Sequence, residues 1–235
     1  MDIEDMMKQL ESLGTGQTKK TLMRHGAPEP LFGVRIGDLK KLVKHVKKNQ
    51  ELALRLYDTG NYDAMYLAGL SVDPKRLTKE QLRVWASKAN CHTIAECTVA
   101  AVAAESAFAL ELANEWMASE EELIASCGWN TMTHYISVTP DEELDLDALR
   151  VLLRQVSDRI HEERNRVRYT MNGFVIGVGS FVKPLAGEAA AVAEKIGKVS
   201  VDVGDTACKV PVAADYIRKV EAAGKLGAKR KTCIC

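Results

Sequence analysis

Ile36-Gly37-Asp38-Leu39-Lys40-Lys41-Leu42-Val43-Lys44-His45-Val46-Lys47-Lys48 is the stretch whose spacing decides the fold. Its apolar residues Ile36, Leu39, Leu42, Val43 and Val46 step by 3, 3, 1 and 3, which gathers them on one stripe of a helix. Lys40, Lys41, Lys44, Lys47 and Lys48 then fall on the other side. The same periodicity recurs along nearly the whole chain, and alternating strand patterns are almost absent. The expectation is roughly a dozen helices and no sheet.

Turn-forming pairs punctuate those helices at Gly60-Asn61, Asp73-Pro74, Cys127-Gly128, Thr139-Pro140, Lys183-Pro184 and Gly204-Asp205. Thr78 and Gln81 have the spacing of a capping box, so a helix is expected to start there. Short helices joined by tight turns, without long heptads, predict stacked antiparallel pairs: an all-α solenoid, or α-α superhelix, of HEAT or armadillo type. Residues 1–223 are expected to form that single domain. Residues 224–235 read as a basic tail, with Lys229, Arg230 and Lys231 in succession before Cys233 and Cys235.

A chain of 235 residues with 46% hydrophobic content can bury a real core, which excludes a disordered protein. No run of 18 apolar residues occurs, so no membrane span is expected. The acidic opening Met1-Asp2-Ile3-Glu4-Asp5 carries no apolar region, and the six cysteines are irregularly spaced. Reduced thiols and a cytoplasmic location are the expectation.

The net charge of zero conceals a partition. Between Lys88 and Arg150 there is no Lys or Arg, and residues 89–149 carry 12 carboxylates. The flanks are basic, at +5 for residues 1–88 and +7 for residues 150–235. Such a chain is suited to gripping a polyanion with its ends, while the acidic 89–149 block faces water or a basic protein partner. The alternative is charge sorted onto solvated helix faces.

Reactive side chains concentrate in Asn90-Cys91-His92-Thr93-Ile94-Ala95-Glu96-Cys97. On a helix, His92 and Glu96 are i and i+4 neighbours, so an imidazole and a carboxylate share one face. The carboxylate can stabilise a developing cation or activate water, with the histidine orienting it; the alternative is a surface ion pair. Cys91, His92 and Cys97 are zinc-type ligands, but adjacent residues point apart on a helix and no second pair closes a tetrahedron, so no metal is expected. Six arginines lie between residues 150 and 168, among them Arg150, Arg154, Arg164 and Arg168. They are candidate phosphate contacts, although Asp158 is placed to pair with Arg154. Trp85, Trp116 and Trp129 read first as core, with Trp129 the one placed to line a concave surface. Gly173 and Gly177 suit close helix packing rather than a dinucleotide fingerprint.

With Phe32-Gly33-Val34-Arg35-Ile36-Gly37-Asp38-Leu39-Lys40-Lys41 in view, the chain resembles the AlkD-like DNA alkylation repair family. The likeness continues through Tyr57-Asp58-Thr59-Gly60, Leu77-Thr78-Lys79-Glu80-Gln81-Leu82 and the Val167 to Phe174 helix. The resemblance implies a right-handed superhelix of HEAT-like pairs whose basic concave face wraps duplex DNA. It also implies excision of N-alkylated purines by hydrolysis of the N-glycosidic bond, without metal or organic cofactor. An alkylated purine is already cationic, so a carboxylate and aromatic faces suffice to stabilise the oxocarbenium-like sugar.

The resemblance places Glu96 as the catalytic carboxylate with His92 beside it, and Trp129 and Phe174 as cleft aromatics. Lys40, Lys44, Lys47, Arg150, Arg154, Arg164, Arg168, Lys229, Arg230 and Lys231 are the expected DNA contacts. The family's Trp and Asp four residues apart are replaced by His92 and Glu96. Its DNA-contacting arginine falls at Asn130-Thr131. The expectation is therefore a duplex-DNA-binding protein of alkylation repair type with divergent catalytic residues; the alternative is a protein-interaction scaffold of the same fold.

Overall fold

The computed structural model describes residues 2–234, so Met1 and Cys235 lie outside the described residues. Among the described residues there is no strand. The described residues form thirteen α-helices in succession: α1 (Ile3–Leu13), α2 (Gly16–Arg24), α3 (Ile36–Val46), α4 (Gln50–Asp58), α5 (Tyr62–Ser71), α6 (Lys79–Lys88), α7 (Ala100–Ala104), α8 (Ala109–Met117), α9 (Glu122–Val138), α10 (Leu146–Arg159), α11 (Asn165–Phe181), α12 (Ala186–Ile196) and α13 (Ala213–Ala222). A π-helical segment, Ile94–Val99, runs directly into α7.

Six of the α-helix starts among the described residues are set by side-chain caps. Asp2, Thr15, Asn49, Asn61 and Asp145 each accept from a backbone N–H of the turn they open. Thr78 and Gln81 form the reciprocal capping box that their spacing implies. The helices stack as HEAT-like pairs. An inner layer of α3, α5, the π segment with α7, α9, α11 and α13 packs side by side, and α4, α6, α8, α10 and α12 cover it. Helix α5 is buried nearly all round, as an inner helix must be, whereas α10 keeps a wet face. One apolar cluster extends from Met6 to Cys127 and a second from Ala113 to Ile217, so α8 and α9 supply residues to both.

Several local expectations are corrected. Cys127-Gly128 is no break: it lies within α9, where a Cβ on Gly128 would stand 2.8 Å from the Trp116 carbonyl carbon. The glycine permits the close approach of α8 and α9. Gly177 plays the packing role against Thr133, but Gly173 faces open space. Ile36 opens α3 and is 47% exposed, so only the rest of that stripe packs inward. Asp158 pairs with Lys195 at 3.2 Å rather than with Arg154.

The segment after α13 turns back over the molecule. Gly227 N–H donates to Ser180 O and Arg230 N–H to Ser137 O, both at 2.8 Å, near the C-terminal ends of α11 and α9. Past α7, Glu105 accepts from the Cys233 and Ile234 N–H groups at 2.6 and 3.3 Å.

Candidate nucleic-acid interface

After α6 the chain turns through Ala89-Asn90-Cys91, and the Asn90 side-chain amide anchors the turn to Gly60 O at 3.1 Å. The following helix is widened at Ile94–Val99, where Ala100 N–H bonds back to Ala95 O. This π geometry alters the simple i, i+4 relation expected of His92 and Glu96, and both side chains still line one cleft.

Glu96 is 4% exposed, and both of its carboxylate oxygens are engaged by one guanidinium. Arg166 Nε donates to Oε1 at 3.0 Å, and Nη2 donates to Oε2. The same guanidinium lies 4.3 Å from the centre of the Tyr169 ring, one turn further along α11. Arg166 is fixed from behind as well: its backbone N–H donates to Glu122 Oε1 at 2.6 Å, which caps the first turn of α11 with a carboxylate. Asn130 of α9 completes the arrangement by donating to Glu96 O at 2.6 Å. Burial pushes the Glu96 carboxyl above its ordinary value, against the opposing pull of Arg166.

The cleft around this pair has a volume of about 390 Å³. Arg24, His25 and Gly26 at the end of α2 form one wall, and residues 202–208 form another. Asn165 holds that loop through Nδ2 to Asp202 O at 2.8 Å and Oδ1 from Asp202 N–H at 2.7 Å. Burial, then the nearby Arg166 and His25 charges, push His92 down to about 4, so its imidazole is neutral at pH 7. His25 Nδ1 and Cys208 Sγ stand 3.8 Å apart in the exposed mouth. The other carboxylate of the cleft, Asp202, accepts Gly204 N–H at 2.8 Å.

The two cleft aromatics expected from the sequence are elsewhere. Trp129 is 1% and Phe174 0% exposed, and their rings meet edge to face at 5.3 Å inside the second core cluster. Neither lines the cleft; the driving force that buries large aromatics takes both. The arginine run is divided between layers. Arg150 and Arg154 are on the outer helix α10, where Arg150 is bound by Glu188 and Asp147 at 2.9 and 2.8 Å. Arg164 donates to Ser119 O at 3.1 Å and to Glu120 O, and Arg168 is half-buried on α11. Lys40 and Lys44 are exposed on α3, and Lys47 is exposed at its C-cap.

In the tail, Lys229 is turned inward onto Ile136 O at 2.9 Å and Asp141 at 2.8 Å. Arg230 lies over the Phe181 ring at 5.2 Å, and Lys231 is exposed. Sequence reasoning missed Arg24, His25 and Tyr169, and counted Arg166 only among the six arginines taken as phosphate contacts, not as the partner of Glu96. Of these only Tyr169 carried a signal, an aromatic at i, i+3 from Arg166 on one helix.

Comparison with known proteins accords with this arrangement of helix pairs. A solved structure described as "a new family of proteins related to the HEAT-like repeat DNA glycosylases with affinity for branched DNA structures" superimposes with a TM-score of 0.93 at 36% identity, covering 100% of both chains. An uncharacterized protein of Listeria monocytogenes serovar 1/2a is 36% identical over 217 residues, spanning 90% of this chain and 93% of that one. An uncharacterized protein of Listeria innocua serovar 6a is 37% identical over the same length and shares. Residues 6–189, from the first buried methionine of α1 into α12, match the description "DNA alkylation repair enzyme", and with these relatives they establish that the chain belongs to the DNA alkylation repair enzyme family.

Proposed function

We propose that the protein binds DNA across the cleft between α2, the π segment and α11, and that it recognises branched or sharply bent DNA without excising alkylated bases. The observation that carries this reading is the Glu96–Arg166 pair. A glycosylase of this type needs a carboxylate directed at the sugar as positive charge develops there. Here the buried carboxylate gives both oxygens to a permanent cation, which leaves no free charge for the transition state. The two aromatics expected to cradle an extruded base, Trp129 and Phe174, are in the core, and Tyr169 of the cleft is stacked against Arg166. What remains at the rim, the exposed Arg24, suits a phosphate, and the exposed lysines of α3 are proposed as contacts outside the cleft. The affinity of the solved relative for branched DNA structures supports the choice of DNA shape over a lesion.

The test is fluorescence anisotropy with a four-way junction, a linear duplex and a methylated duplex between about 50 and 200 mM salt. Base release is assayed in the same samples. The junction is expected to bind about tenfold more tightly than either duplex, with Arg24→Gln weakening it and no base released. Base release that disappears in Glu96→Gln would restore the glycosylase reading, and equal affinity for all three DNAs would remove shape recognition.

A further inference from the structure

Neighbouring outer helices are joined by ion pairs at each step but one. Lys88–Asp58 at 2.8 Å ties α6 to α4, and Lys79–Glu111 and Arg83–Glu115, both 2.6 Å, tie α6 to α8. Arg150–Glu188 at 2.9 Å and Lys195–Asp158 at 3.2 Å tie α10 to α12. Among the described residues no ion pair joins α8 to α10. Helix α8 packs on α9 while α10 packs on α11 and α12, and the outer layer is left open between them.

The opening is an apolar groove of about 380 Å³. Met132 and Tyr135 of α9 line it together with Leu110 of α8 and Leu149 and Val151 of α10. Leu110 is 45% and Val151 53% exposed, two of the five large hydrophobic side chains that face water among the described residues. A soluble surface normally scatters such residues singly, so two in one groove mark a contact site.

Charge selects the occupant. Every groove residue but Val151 and Leu152 comes from residues 89–149, which hold no Lys or Arg; on the α10 wall Arg150 is bound by Asp147 and Glu188, and Arg154 stands exposed one turn beyond Val151. Asp145 lines it, and exposed Glu142 and Glu143 immediately precede the groove residue Leu144; among the described residues these two glutamates form no ion pair. Nucleic acid is repelled there, whereas a cationic partner is drawn in. An open trough between two helices, apolar at its base and acidic at its rim, complements a helix with the opposite distribution.

We propose that the α8–α10 groove docks an amphipathic helix of a partner protein, one that inserts aliphatic side chains at i, i+4 spacing and presents Lys or Arg on its flanks. The inference is independent of the DNA reading, because it uses neither the cleft nor its cations.

The probe is a synthetic helical peptide with leucines at i, i+4 spacing and lysines elsewhere, compared with the same peptide carrying glutamates for lysines. Binding to the full chain is read by anisotropy, and the contact residues by amide shifts. The lysine peptide is expected to bind and to shift α8 and α10, and the glutamate peptide to remain unbound. Leu110→Asp and Val151→Asp add acid while removing the apolar anchors, so each should weaken binding about tenfold. Both positions are exposed, and an unchanged circular dichroism spectrum checks the fold.

Retained or tighter binding in those variants would mean charge attraction alone and would overturn the proposal. Equal binding of the two peptides, or shifts confined to other elements, would do the same. Sedimentation that shows self-association of the free chain, abolished by Val151→Asp, would replace the partner helix with a second copy and overturn it as well.

Discussion

At the scale of single residues, Asp63 explains why Phe32-Gly33-Val34 is a recognisable entry into α3. Its buried carboxylate accepts the Phe32 and Gly33 N–H groups at 2.6 and 3.0 Å and the Val34 N–H at 2.8 Å. Gly33 has φ +82, and a Cβ there would stand 2.7 Å from Lys19 Cα, so the turn requires glycine. The motif was visible in the chain; its anchor about 30 residues later was not, because a carboxylate's partners are set by packing. Asp63→Ala leaves these donors without an acceptor and is expected to lower unfolding stability by at least about 3 kcal/mol in urea titrations.

His92 carries a pH signature at the same scale. The imidazole titrates near 4 in the fold, pushed down by burial and then by Arg166 and His25, and near 6.5 when unfolded. The unfolded chain thus binds more protons within that window, so stability is complete above about pH 6.5 and declines as pH falls toward 4. His134, lowered to about 4 by burial and by Arg230, acts in the same direction. Urea midpoints measured between about pH 7 and 4.5 should decline less in His92→Gln than in the unaltered chain; parallel curves would refute the assignment.

At the scale of elements, close helix approach is decided by glycines that look alike in the sequence. Gly128→Ala forces a methyl group against the backbone of Trp116 and is expected to destabilise by about 2 kcal/mol or more in thermal melts. Gly173→Ala places a methyl group in open space on α11 and should be neutral or stabilising by about 0.5–1 kcal/mol. The two positions cannot be told apart from periodicity, since only the facing helix distinguishes them. The terminal segment presents a similar contrast, because a run of cations beside glycines reads as mobile. Its fastening is instead shared by the backbone bonds of Gly227 and Arg230, the inward-turned Lys229 and, at the far end, Glu105, which also accepts from Thr232 Oγ1 at 2.5 Å. Glu105→Ala should make trypsin cleavage at Lys229, Arg230 and Lys231 about tenfold faster, with the helical signal retained.

At the scale of the whole molecule, the charge partition read from the chain acquires geometry. The basic α3 belongs to the inner layer, and the acidic block supplies the open stretch of the outer layer between α8 and α10. If the lysines of α3 lie along the DNA path, Lys40→Gln with Lys44→Gln should reduce the slope of log K against log salt by roughly 0.9 for each phosphate that is no longer neutralised. An unchanged slope would remove α3 from the interface. Helix type, caps and family motifs were legible because they depend on neighbours within a few residues, as Thr78 with Gln81 shows. The pairing of Glu96 with Arg166 was not, since 70 residues separate them and only the side-by-side packing of the inner helices brings them together. Sequence by itself determined an all-helical stack with basic flanks and an acidic middle, because periodicity and charge are properties of the chain. Tertiary structure alone decided that Trp129 and Phe174 are core, that Glu96 is neutralised and that one groove stays open, because burial and ion pairing depend on which distant helices meet.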